Sequence, residues 1–578
     1  MYPAPTEVKA EAKAEVKVEA KAGRPANAED DSVEEHAHGH GNAGPRLGLL
    51  TKEVVASIAD ADHNVMIAFS NYLFKDLALN LYLGAEEAGI SNILVCAFDD
   101  KLEEYLVGMG VPVALLDAEV VFADSDHLRS ATFKQLNRLK YAVITEIVSW
   151  GYSVLATDVD AVVMRNPFPW LKLYGQHTDM MLSTDRIHAP DISDGPDNEK
   201  QNYLHYYCIG IMYIRPTPAS NAFLSAWVDA MHADLDILDQ AALMQLMNEG
   251  FERTDRLSRV SLVWNKRLRT ADLPTLLFCN GHVFYTQRLP QRLGFFPFMA
   301  HSTFQFGRMD GKIMAMRQHQ LFHDPPEYYR GKFLAFDLNI PSDMLEPEFV
   351  PSKAVPTKHI ALGKLQVAQV MQAFALARAM GRILILPRVQ CLCDTYWWFL
   401  GDGCMLSGTK DMGFPTACPL DHILNPYHLR VDSGLDFRES SFLENPKVPA
   451  SLLRSRVTVT FCADCEADAA HAADDLDADA DSHFSLDPSG QVVAHDNDVL
   501  HFHAPTSDAG WAKRLADYDD VAVIHFSSVD KALTGLVKSG DVDYFNRAYF
   551  KSAAAWCCAE DIGAIKLVYD NDLFSLAP

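Results

Sequence analysis

The sequence lacks the features of a membrane-spanning or a nucleic-acid-binding protein. No apolar run reaches about 18 residues, the length that a transmembrane helix needs, and no charged start followed by an apolar core marks a signal peptide. Basic residues are in the minority, with 50 Lys and Arg against 77 Asp and Glu and a formal net charge of −27. A surface of this sign repels a phosphate backbone. We therefore expect no membrane span in this chain and no nucleic-acid partner.

Cysteine is scarce in most of the chain, and no Asn-x-Ser/Thr sequon occurs anywhere. Most of the 11 cysteines lie beyond residue 390. Cys462 and Cys465 have the spacing of a zinc site, but no second pair and no His-x-His cluster accompanies them. Disulfides in an oxidising compartment are therefore the better interpretation, although the sequence does not show the pairing.

What the sequence does contain is alternating secondary structure after a low-complexity start. Residues 1–46 are Ala/Glu/Lys repeats followed by an acidic, His- and Gly-rich tract. This composition favours a disordered N-terminus over weak metal binding by the HAHGHG segment. From residue 47, VMIAFS (65–70) and ILVCAFD (93–99) predict strands on either side of a helix over 76–89. The alternation predicts a parallel α/β domain over 47–330.

A second α/β domain is predicted over 331–578. QVAQVMQAFALARAM has the pattern of a buried helix, and RILIL that of the strand after it, which suggests an independent hydrophobic core. Residues 463–482 carry eight acidic side chains and no basic ones. We therefore predict a disordered acidic insertion near 463–500.

The segment LATDVDAVVM places two carboxylates at the end of a buried strand. YSVLA has the apolar character of a core strand, and Asp158 and Asp160 follow it one residue apart. Two such carboxylates can reach one cation, and Mg²⁺ and Mn²⁺ take oxygen ligands while keeping positions for substrate phosphates. The alternative is a solvated turn, but the apolar flanks make unpaired carboxylates costly here. The pattern therefore predicts a metal site suited to a nucleoside-diphosphate leaving group.

A second group of candidate residues lies in MAHSTFQFGRMDGK. A neutral His301 imidazole can complete a metal shell. Lys312 can bind donor phosphates, and Gly311 can permit close approach of the backbone. The alternative is that His301 is a buried histidine of the aromatic FFPFM patch.

Two further pairs of residues have both a structural and a functional interpretation. Asp239, in LDILDQAALMQLM, either caps the helix that follows or reaches a substrate together with Gln240. Arg138 and Lys140 precede the acidic strand on a helix. They face either solvent or a diphosphate.

In this order, the segments closely resemble plant and algal glycosyltransferase family 77, the extensin arabinosyltransferase group. The resemblance runs from roughly residue 62 to 460. The segments that carry it are AFSNY, FKQLNRLKYAVITEIVSWGYSVLATDVDAVVMRNPF, STD (183–185), IGIMYIRPT, DQ (239–240), FCNGHVFY, HSTFQFG with the later GK, and FHDPPEYY.

The resemblance implies a GT-A fold, a Rossmann-like sheet with the nucleotide at the carboxyl ends of its strands, followed by the second α/β domain. It also implies a retaining transferase that uses a UDP-sugar and Mn²⁺ or Mg²⁺. By position, Asp158, Asp160 and His301 are the metal ligands, and Asp239 and Gln240 lie near the reacting sugar. Together with the residue patterns above, this gives the predicted donor-binding residues as Ser70, Asn71, Tyr72, Arg138, Lys140, Asp158, Asp185, Gly311 and Lys312.

We therefore predict a metal-dependent retaining glycosyltransferase. By resemblance, it moves L-arabinofuranose from a UDP-sugar to hydroxyproline-linked arabinosides of extensin-like cell-wall glycoproteins in the Golgi lumen. The alternatives are a xylosyl- or galactosyltransferase acting on a pectic or other glycan, and a non-catalytic glycan-binding or scaffold subunit. The second domain is expected to contribute no residue to the donor site.

Three features depart from the family pattern. Cys208 stands where family members often have Asn, which affects one polar contact to the donor or the acceptor. The basic run after the Gly-Lys pair is reduced to Arg317. The membrane anchor expected of a Golgi enzyme is not visible in this chain.

Overall fold

Two large β-sheets form the framework of the protein, one of 10 strands and one of eight strands. The computed structural model describes residues 46–117, 130–188, 207–253, 260–352, 354–395, 400–406, 409, 412–461, 484–486, 492–496, 499–502, 504–552, 573 and 575. The predicted low-complexity N-terminus lies outside these residues, apart from Arg46. All described residues belong to one compact unit. The boundary near residue 331 remains a prediction.

The first part of the chain alternates strands and helices as the sequence predicts. Its elements are β1 (Arg46–Leu49), α1 (Lys52–Ile58), β2 (Asn64–Ser70), α2 (Lys75–Glu87), β3 (Ile93–Ala97), α3 (Asp100–Gly108), β4 (Val113–Leu115), α4 (Ala131–Ser149), β5 (Ser153–Thr157), β6 (Ala161–Val163), α5 (Phe168–Tyr174), β7 (Met180–Thr184), β8 (Tyr207–Ile214), α6 (Pro218–Ala233), α7 (Asp239–Asn248), β9 (Glu252–Arg253), β10 (Val260–Val263), β11 (Leu268–Asp272), β12 (Phe278–Asn280), α8 (Leu289–Leu293), β13 (Met299–His301) and α9 (Arg308–Gln318).

The first sheet has the strand order β1-β4-β3-β2-β5-β8-β7-β11-β10-β9. Its first five strands are parallel, whereas β8 runs antiparallel between β5 and β7. The sheet therefore departs from the predicted parallel arrangement at β8, and again at β10, which pairs antiparallel with β9 and β11. The strand–helix alternation behind the prediction extends only to β5, and antiparallel strands need no crossover helix. The reversal has a consequence for the site. The start of β8 lies at the edge where β5 and β7 end, and Cys208 pairs with Ser183 there.

Helix α4 packs on one face of this sheet and leads into the strand before the acidic pair. It begins after Ser130, whose hydroxyl accepts a hydrogen bond from a backbone amide of the first turn at 3.0 Å. Tyr141, Ile144 and Val148 recur at helical spacing and are buried against the sheet. The Tyr141 ring also packs on Trp227, with ring centroids 4.1 Å apart. The buried face fixes how α4 rotates and therefore which side chains it turns toward the strand ends.

A small sheet of β12, β13 and β6 lies beside the first sheet. Strand β13 runs parallel to β12 and antiparallel to β6, with His301 opposite Ala161. This register places the end of β13 next to the turn that holds Asp158 and Asp160.

The second part of the chain contributes another set of strands and helices. Its elements are β14 (Phe333–Phe336), α10 (Thr357–Ala379), β15 (Ile383–Ile385), β16 (Gln390–Cys391), β17 (Thr416–Ala417), β18 (Phe437–Arg438), α11 (Ala450–Arg454), β19 (Arg456–Phe461), β20 (Phe484–Leu486), β21 (Val492–Asp496), β22 (Val499–Phe502), α12 (Asp508–Arg514), β23 (Val523–Phe526) and α13 (Ser539–Ser552).

The second sheet has the order β18-β15-β14-β23-β19-β22-β21-β20, and its strands from β18 to β22 are parallel. Helix α10 packs in its core. Among the described residues, α10 is the helix whose length and apolar composition would suit a membrane span, but 72% of its most apolar window is buried inside the protein. That burial is typical of a core helix.

The acidic insertion predicted near 463–500 is partly structured. Residues 484–486, 492–496 and 499–502 are strands, and β22 pairs with β19 in register from Val499 opposite Thr458. The prediction is wrong for these residues because segments such as VVAHD and VLHF are rich in β-branched and aromatic side chains. The acidic residues between 463 and 482 lie outside the described residues.

Two disulfides cross-link the segment after β15. They join Cys391 to Cys418 and Cys393 to Cys404. In the described part of the chain, the cysteines outside these two disulfides are Cys96, Cys208 and Cys279, and all three are buried. Cys462 and Cys465, which have the spacing of a zinc site, lie outside the described residues.

Candidate active site

Asp158 and Asp160 lie in the tight turn between β5 and β6. The Asp158 amide donates to the Gly210 carbonyl on β8 at 2.8 Å, and the Ala161 amide closes the turn on the Asp158 carbonyl at 3.1 Å. The Asp160 carbonyl accepts from the Ser302 amide at 3.1 Å. The turn is thus held by both neighbouring sheets, so the two carboxylates are fixed in place.

His301 brings an imidazole to the acidic pair from the end of β13. Its Nε2 is 3.0 Å from Asp160 Oδ1 and 3.7 Å from Asp158 Oδ2. Its Nδ1 is 3.3 Å from Cys208 Sγ. One ligand atom from each of the two aspartates and the histidine lies within 4.8 Å of the others. The ring therefore borders the acidic pair, and the residues suit a divalent cation.

Each carboxylate also meets a lysine from a different helix. Lys140 Nζ, on α4, is 2.6 Å from Asp158 Oδ1. Lys312 Nζ, on α9, bonds Asp160 Oδ2. Lys140 is only 7% exposed, so its charge is held at the site by the carboxylate rather than by water.

Burial and charge pairing have opposite effects on the pKa values of this cluster. Burial alone raises the pKa of Asp160, but Lys312 and His301 together hold it well below its ordinary range. Burial alone lowers the pKa of His301, but Asp160 and Cys208 raise it well above its ordinary value. A protonated imidazole offers no lone pair. A metal ion at this site must therefore displace a proton from His301.

Gly210 provides the space that the His301 ring occupies. A Cβ atom at this position would lie 2.1 Å from the ring carbon Cε1. Gly210 is a site residue missing from the sequence-based prediction, although a glycine inside an apolar strand is a signal for a close approach. Cys208, noted only as a departure from the family pattern, is the residue beside Nδ1.

Asp239 is the first residue of α7. It also lies close enough to Lys140 to feel its charge. Its Oδ1 accepts from the Gln240 amide at 2.9 Å. Burial raises the pKa of Asp239, and the charge of Lys140 opposes that shift. The N-cap residue of α7 is Leu238 and no side chain caps the helix, so the capping interpretation of Asp239 is wrong. The substrate-binding interpretation of Asp239 stays a prediction.

Two of the predicted donor-binding side chains have an oxygen without a hydrogen-bond partner among the described residues. These solvent-shielded atoms are Oδ1 of Asn71 and Oδ1 of Asp185. Burial also raises the pKa of Asp185. Asn71 follows β2 and Asp185 follows β7, and both strands end at the edge where β5 carries the acidic pair. Unused buried oxygens at this edge are suited to a polar ligand.

The neighbours of Asn71 have their own local contacts. The Ser70 hydroxyl donates to the Asn71 carbonyl at 3.2 Å, and the Tyr72 hydroxyl accepts from Lys75 at 3.0 Å. The Tyr72 ring meets Tyr105 edge-on, with centroids 6.2 Å apart.

Two predicted donor-binding residues have contacts elsewhere. Arg138 Nη1 donates to the Leu235 carbonyl at 3.4 Å, because positions two apart on a helix face different directions and α4 turns Lys140 toward the site instead. Gly311 lies inside α9, where a Cβ atom would be 1.6 Å from the Phe306 carbonyl oxygen. This glycine admits the protein's own loop, and its role in donor binding stays a prediction.

The fold and this site define the class of the protein. A mostly parallel α/β sheet whose strand ends carry an acidic pair is the GT-A architecture of nucleotide-sugar glycosyltransferases. A family model described as nucleotide-diphospho-sugar transferase matches residues 88–316. The chain is 29% identical over 535 residues to arabinosyltransferase XEG113 of Arabidopsis thaliana, covering 90% of this chain and 78% of that protein. These matches support membership of the arabinosyltransferase-like family of nucleotide-diphospho-sugar transferases that the sequence resemblance predicts.

Two further similarities cover less of the chain. Beta-arabinofuranosyltransferase RAY1 of Arabidopsis thaliana is 30% identical over 121 residues, covering 20% of this chain and 22% of that protein. The solved structure of galactosyltransferase LgtC with donor and acceptor sugar analogues is 13% identical, covering 46% of this chain and 98% of that chain, with a TM-score of 0.29.

Proposed function

We propose that the protein is a metal-dependent retaining glycosyltransferase that transfers L-arabinofuranose. The donor is UDP-arabinofuranose, the acceptor is a hydroxyproline-linked arabinoside of an extensin-like glycoprotein, and the reaction takes place in the Golgi lumen. The observation that carries the proposal is the convergence of Asp158, Asp160 and His301 within 4.8 Å of one another. The arabinosyltransferase names of the relatives support the choice of sugar.

Asp158, Asp160 and His301 would hold Mn²⁺ or Mg²⁺. Bound there, the cation neutralises the charge that builds on the departing diphosphate. Lys312 has three N–H donors on its ammonium group. It can therefore bind Asp160 and a donor phosphate oxygen at the same time. Lys140 orients Asp158 from the α4 side through a hydrogen bond of 2.6 Å.

Asp239, Gln240 and Asp185 are assigned to the reacting sugar, and the charge environment of Asp185 includes a side-chain interaction with Gln240. The start of α7 presents a carboxylate and an amide together, next to Lys140. Asp185 offers an unpaired buried oxygen. Sugar hydroxyls both donate and accept hydrogen bonds, so this mixture of acids and an amide suits them.

A donor panel tests the proposal. Purified protein is given UDP-arabinofuranose, UDP-xylose or UDP-galactose with Mn²⁺ and a hydroxyproline-arabinoside peptide, and UDP release and product mass are measured. We expect transfer from UDP-arabinofuranose and its loss by about 10³-fold in Asp160→Asn, since a charge-stabilising group is removed. Asp62→Asn is the matched control, because Asp62 also pairs with a lysine, at 2.7 Å, but on the exposed surface.

The other outcomes are equally informative. Transfer from UDP-xylose or UDP-galactose alone would replace the proposed sugar. Full activity of Asp160→Asn with Mn²⁺ would contradict the metal site. An absence of UDP release with all three donors would favour the non-catalytic alternative.

A further inference from the structure

A buried chain of polar groups joins the second part of the protein to the loops of the candidate active site. Asp394, whose side chain is 0% exposed, pairs through Oδ2 with His282 Nε2 at 2.9 Å. Its Oδ1 lies 3.6 Å from His422 Nε2. His422 Nδ1 is 3.0 Å from Asp421 Oδ1. Asp421 Oδ2 accepts the Phe306 amide at 2.5 Å.

One end of this chain holds the loop before Lys312. Phe306 lies between His301, at the end of β13, and α9, which begins at Arg308 and carries Lys312. The Asp421 carboxylate is the acceptor for its amide. A hydrogen bond to a buried ionised acceptor is stronger than one to a neutral group. The position of the loop therefore depends on a side chain from the second sheet's side of the molecule.

The other end holds the segment after β7. His282 Nδ1 is 3.0 Å from Gln287 Nε2, and the same amide donates to the Ile187 carbonyl at 2.5 Å. Asn280 Nδ2 donates to the Thr184 carbonyl at 3.2 Å. These bonds enclose Asp185 between two anchored neighbours.

The loop has little space to shift. A Cβ atom at Gly281 would lie 1.9 Å from the Thr303 carbonyl oxygen. Gly307 has φ +86°, and a Cβ atom there would lie 2.8 Å from Pro426 Cδ. Arg308 also stacks over the Tyr427 ring, 4.3 Å from its centroid. The loop before Lys312 is therefore shaped by residues 425–427 as well as by Asp421.

A disulfide ties the two carboxylate-bearing segments to each other. Cys391 and Cys418 are bonded, with Cα atoms 5.8 Å apart. Asp394 lies three residues after the first cysteine, and Asp421 three residues after the second. Cross-linking lowers the number of arrangements that these segments can sample. It thereby helps to hold Asp394 beside His282 and Asp421 beside the Phe306 amide.

We propose that Asp394 and Asp421 are positioning residues of the donor site, acting through His282 and through the Phe306 amide. The inference rests on the proposed function for what the site binds, and it assigns the second part of the chain a role that the sequence analysis does not expect. Asp421 sets the loop that places Lys312, and Asp394 sets the turn that supports the Asp185 segment.

The test compares Asp421→Ala, Asp421→Asn and Asp508→Ala in the full chain. Asp508 is the matched control, since it is a buried aspartate of the same part of the protein that accepts a backbone amide, from Val537 at 2.9 Å. The readouts are the Kd of UDP in the presence of Mn²⁺, by calorimetry, and hydrogen exchange over 303–312. We expect Asp421→Ala to weaken UDP binding by about tenfold, as a displaced positioning loop does, and to speed exchange at Phe306.

Asp421→Asn keeps an acceptor oxygen, so its UDP Kd should stay within about threefold of the wild type, the scale of a partly retained hydrogen bond. Asp508→Ala should lower the melting temperature without changing the UDP Kd. If Asp421→Ala and Asp508→Ala lose similar stability and both keep the wild-type Kd and exchange, the contact is packing only and the proposal is wrong. Should Asp421→Ala fail to fold, the UDP Kd of Asp394→Asn and its hydrogen exchange over 184–187, the segment that Asp394 supports, decide it.

Failure of the proposed function is a separate outcome. A wild-type protein that does not bind UDP with Mn²⁺ would refute the donor. Hydrogen exchange over 303–312 needs no ligand and would still show whether Asp421 holds the loop.

Discussion

Asp160 shows why metal binding at the candidate site would depend on proton release as much as on geometry. One oxygen contacts the His301 ring and the other Lys312. In this state the carboxylate is fully paired, as a buried charge must be. A divalent cation adds positive charge to a site that already has a protonated imidazole and two lysines. Loss of the His301 proton removes one positive charge and so reduces the repulsion that the cation meets.

Mn²⁺ affinity should therefore rise with pH. The pKa of His301 is raised well above 6.5 by Asp160 and Cys208, in spite of burial. Below that raised pKa, each bound ion displaces one proton, so affinity should increase about tenfold per pH unit. Calorimetry between about pH 6 and about pH 8, in buffers of different ionisation enthalpy, measures both the slope and the proton count. His301→Gln should bind more weakly and with a flat profile. A flat profile in the wild type would exclude His301 as a ligand.

Gly210→Ala should disturb the site without disturbing the fold elsewhere. The new methyl group would meet the His301 ring at 2.1 Å, and the ring must turn away from Asp160. We expect Mn²⁺ affinity to fall by at least about tenfold, the usual scale for a disordered metal ligand. Gly108→Ala is the control, because nothing lies within 4 Å of a Cβ atom there. Equal Mn²⁺ affinity in the two variants would show that the ring has room to adapt.

At the scale of elements, periodicity predicted those segments whose burial follows a simple pattern. The strand predicted at 65–70 is β2 (Asn64–Ser70), and the helix predicted at 76–89 is α2 (Lys75–Glu87). Helix α10 extends further toward its N-terminus than the predicted apolar core of the segment. The direction of β8 was not predictable, because an apolar run such as IGIMYI reads the same in either orientation. Pairing with β5 and β7 decides it, and that is a property of the sheet.

The residues of the candidate site were predictable only where a local sequence pattern indicates them. Asp158 and Asp160 are adjacent to one strand, so the sequence indicates them directly. His301 lies 141 residues from Asp160, and its assignment came from resemblance. The space that Gly210 leaves for the His301 ring, and the contact of that ring with Cys208, both depend on tertiary structure. A single sequence contains no record of which side chains meet across such distances.

The N-terminal cap of α4 gives a prediction at this scale. The Ser130 hydroxyl accepts a backbone amide at 3.0 Å, and α4 delivers Lys140 to Asp158 almost three turns later. Ser130→Ala should cost about 1 kcal/mol of unfolding free energy, the usual value of such a cap. It should leave UDP binding unchanged, because the buried face of α4 still fixes the helix. Urea unfolding measures the first quantity and calorimetry the second. A loss of UDP binding with unchanged stability would show that the cap acts on the site.

At the scale of the whole molecule, the pKa values of two buried histidines in the second part of the chain are shifted in opposite directions. Burial opposes the charge on His422, but Asp394 and Asp421 raise its pKa to about 9. Burial and the nearby His422 lower the pKa of His359 to about 4. His359 also accepts the Leu392 amide through Nδ1 at 3.3 Å, between the disulfide cysteines. Stability should therefore respond to pH on both sides of neutrality.

The direction follows from comparing folded and unfolded pKa values. A base whose pKa is raised stabilises the folded protein below its ordinary value of 6.5, and His422 loses this contribution as the pH rises toward about 9. A base whose pKa is lowered stabilises above 6.5, and His359 loses this contribution as the pH falls toward about 4. Each shift corresponds to roughly 3 kcal/mol. The contribution of the pair to the free energy of unfolding is thus greatest near pH 6.5 and falls in both directions.

Urea unfolding of the wild type at about pH 5, about 6.5 and about 8.5 should show this maximum. His422→Gln should remove the alkaline decline, and His359→Gln the acidic one. Because each variant is compared with the wild type at every pH, titration of other groups cancels. A wild type whose stability rises steadily from pH 6.5 to about 8.5, in parallel with His422→Gln, would mean that His422 is not held protonated between the two aspartates.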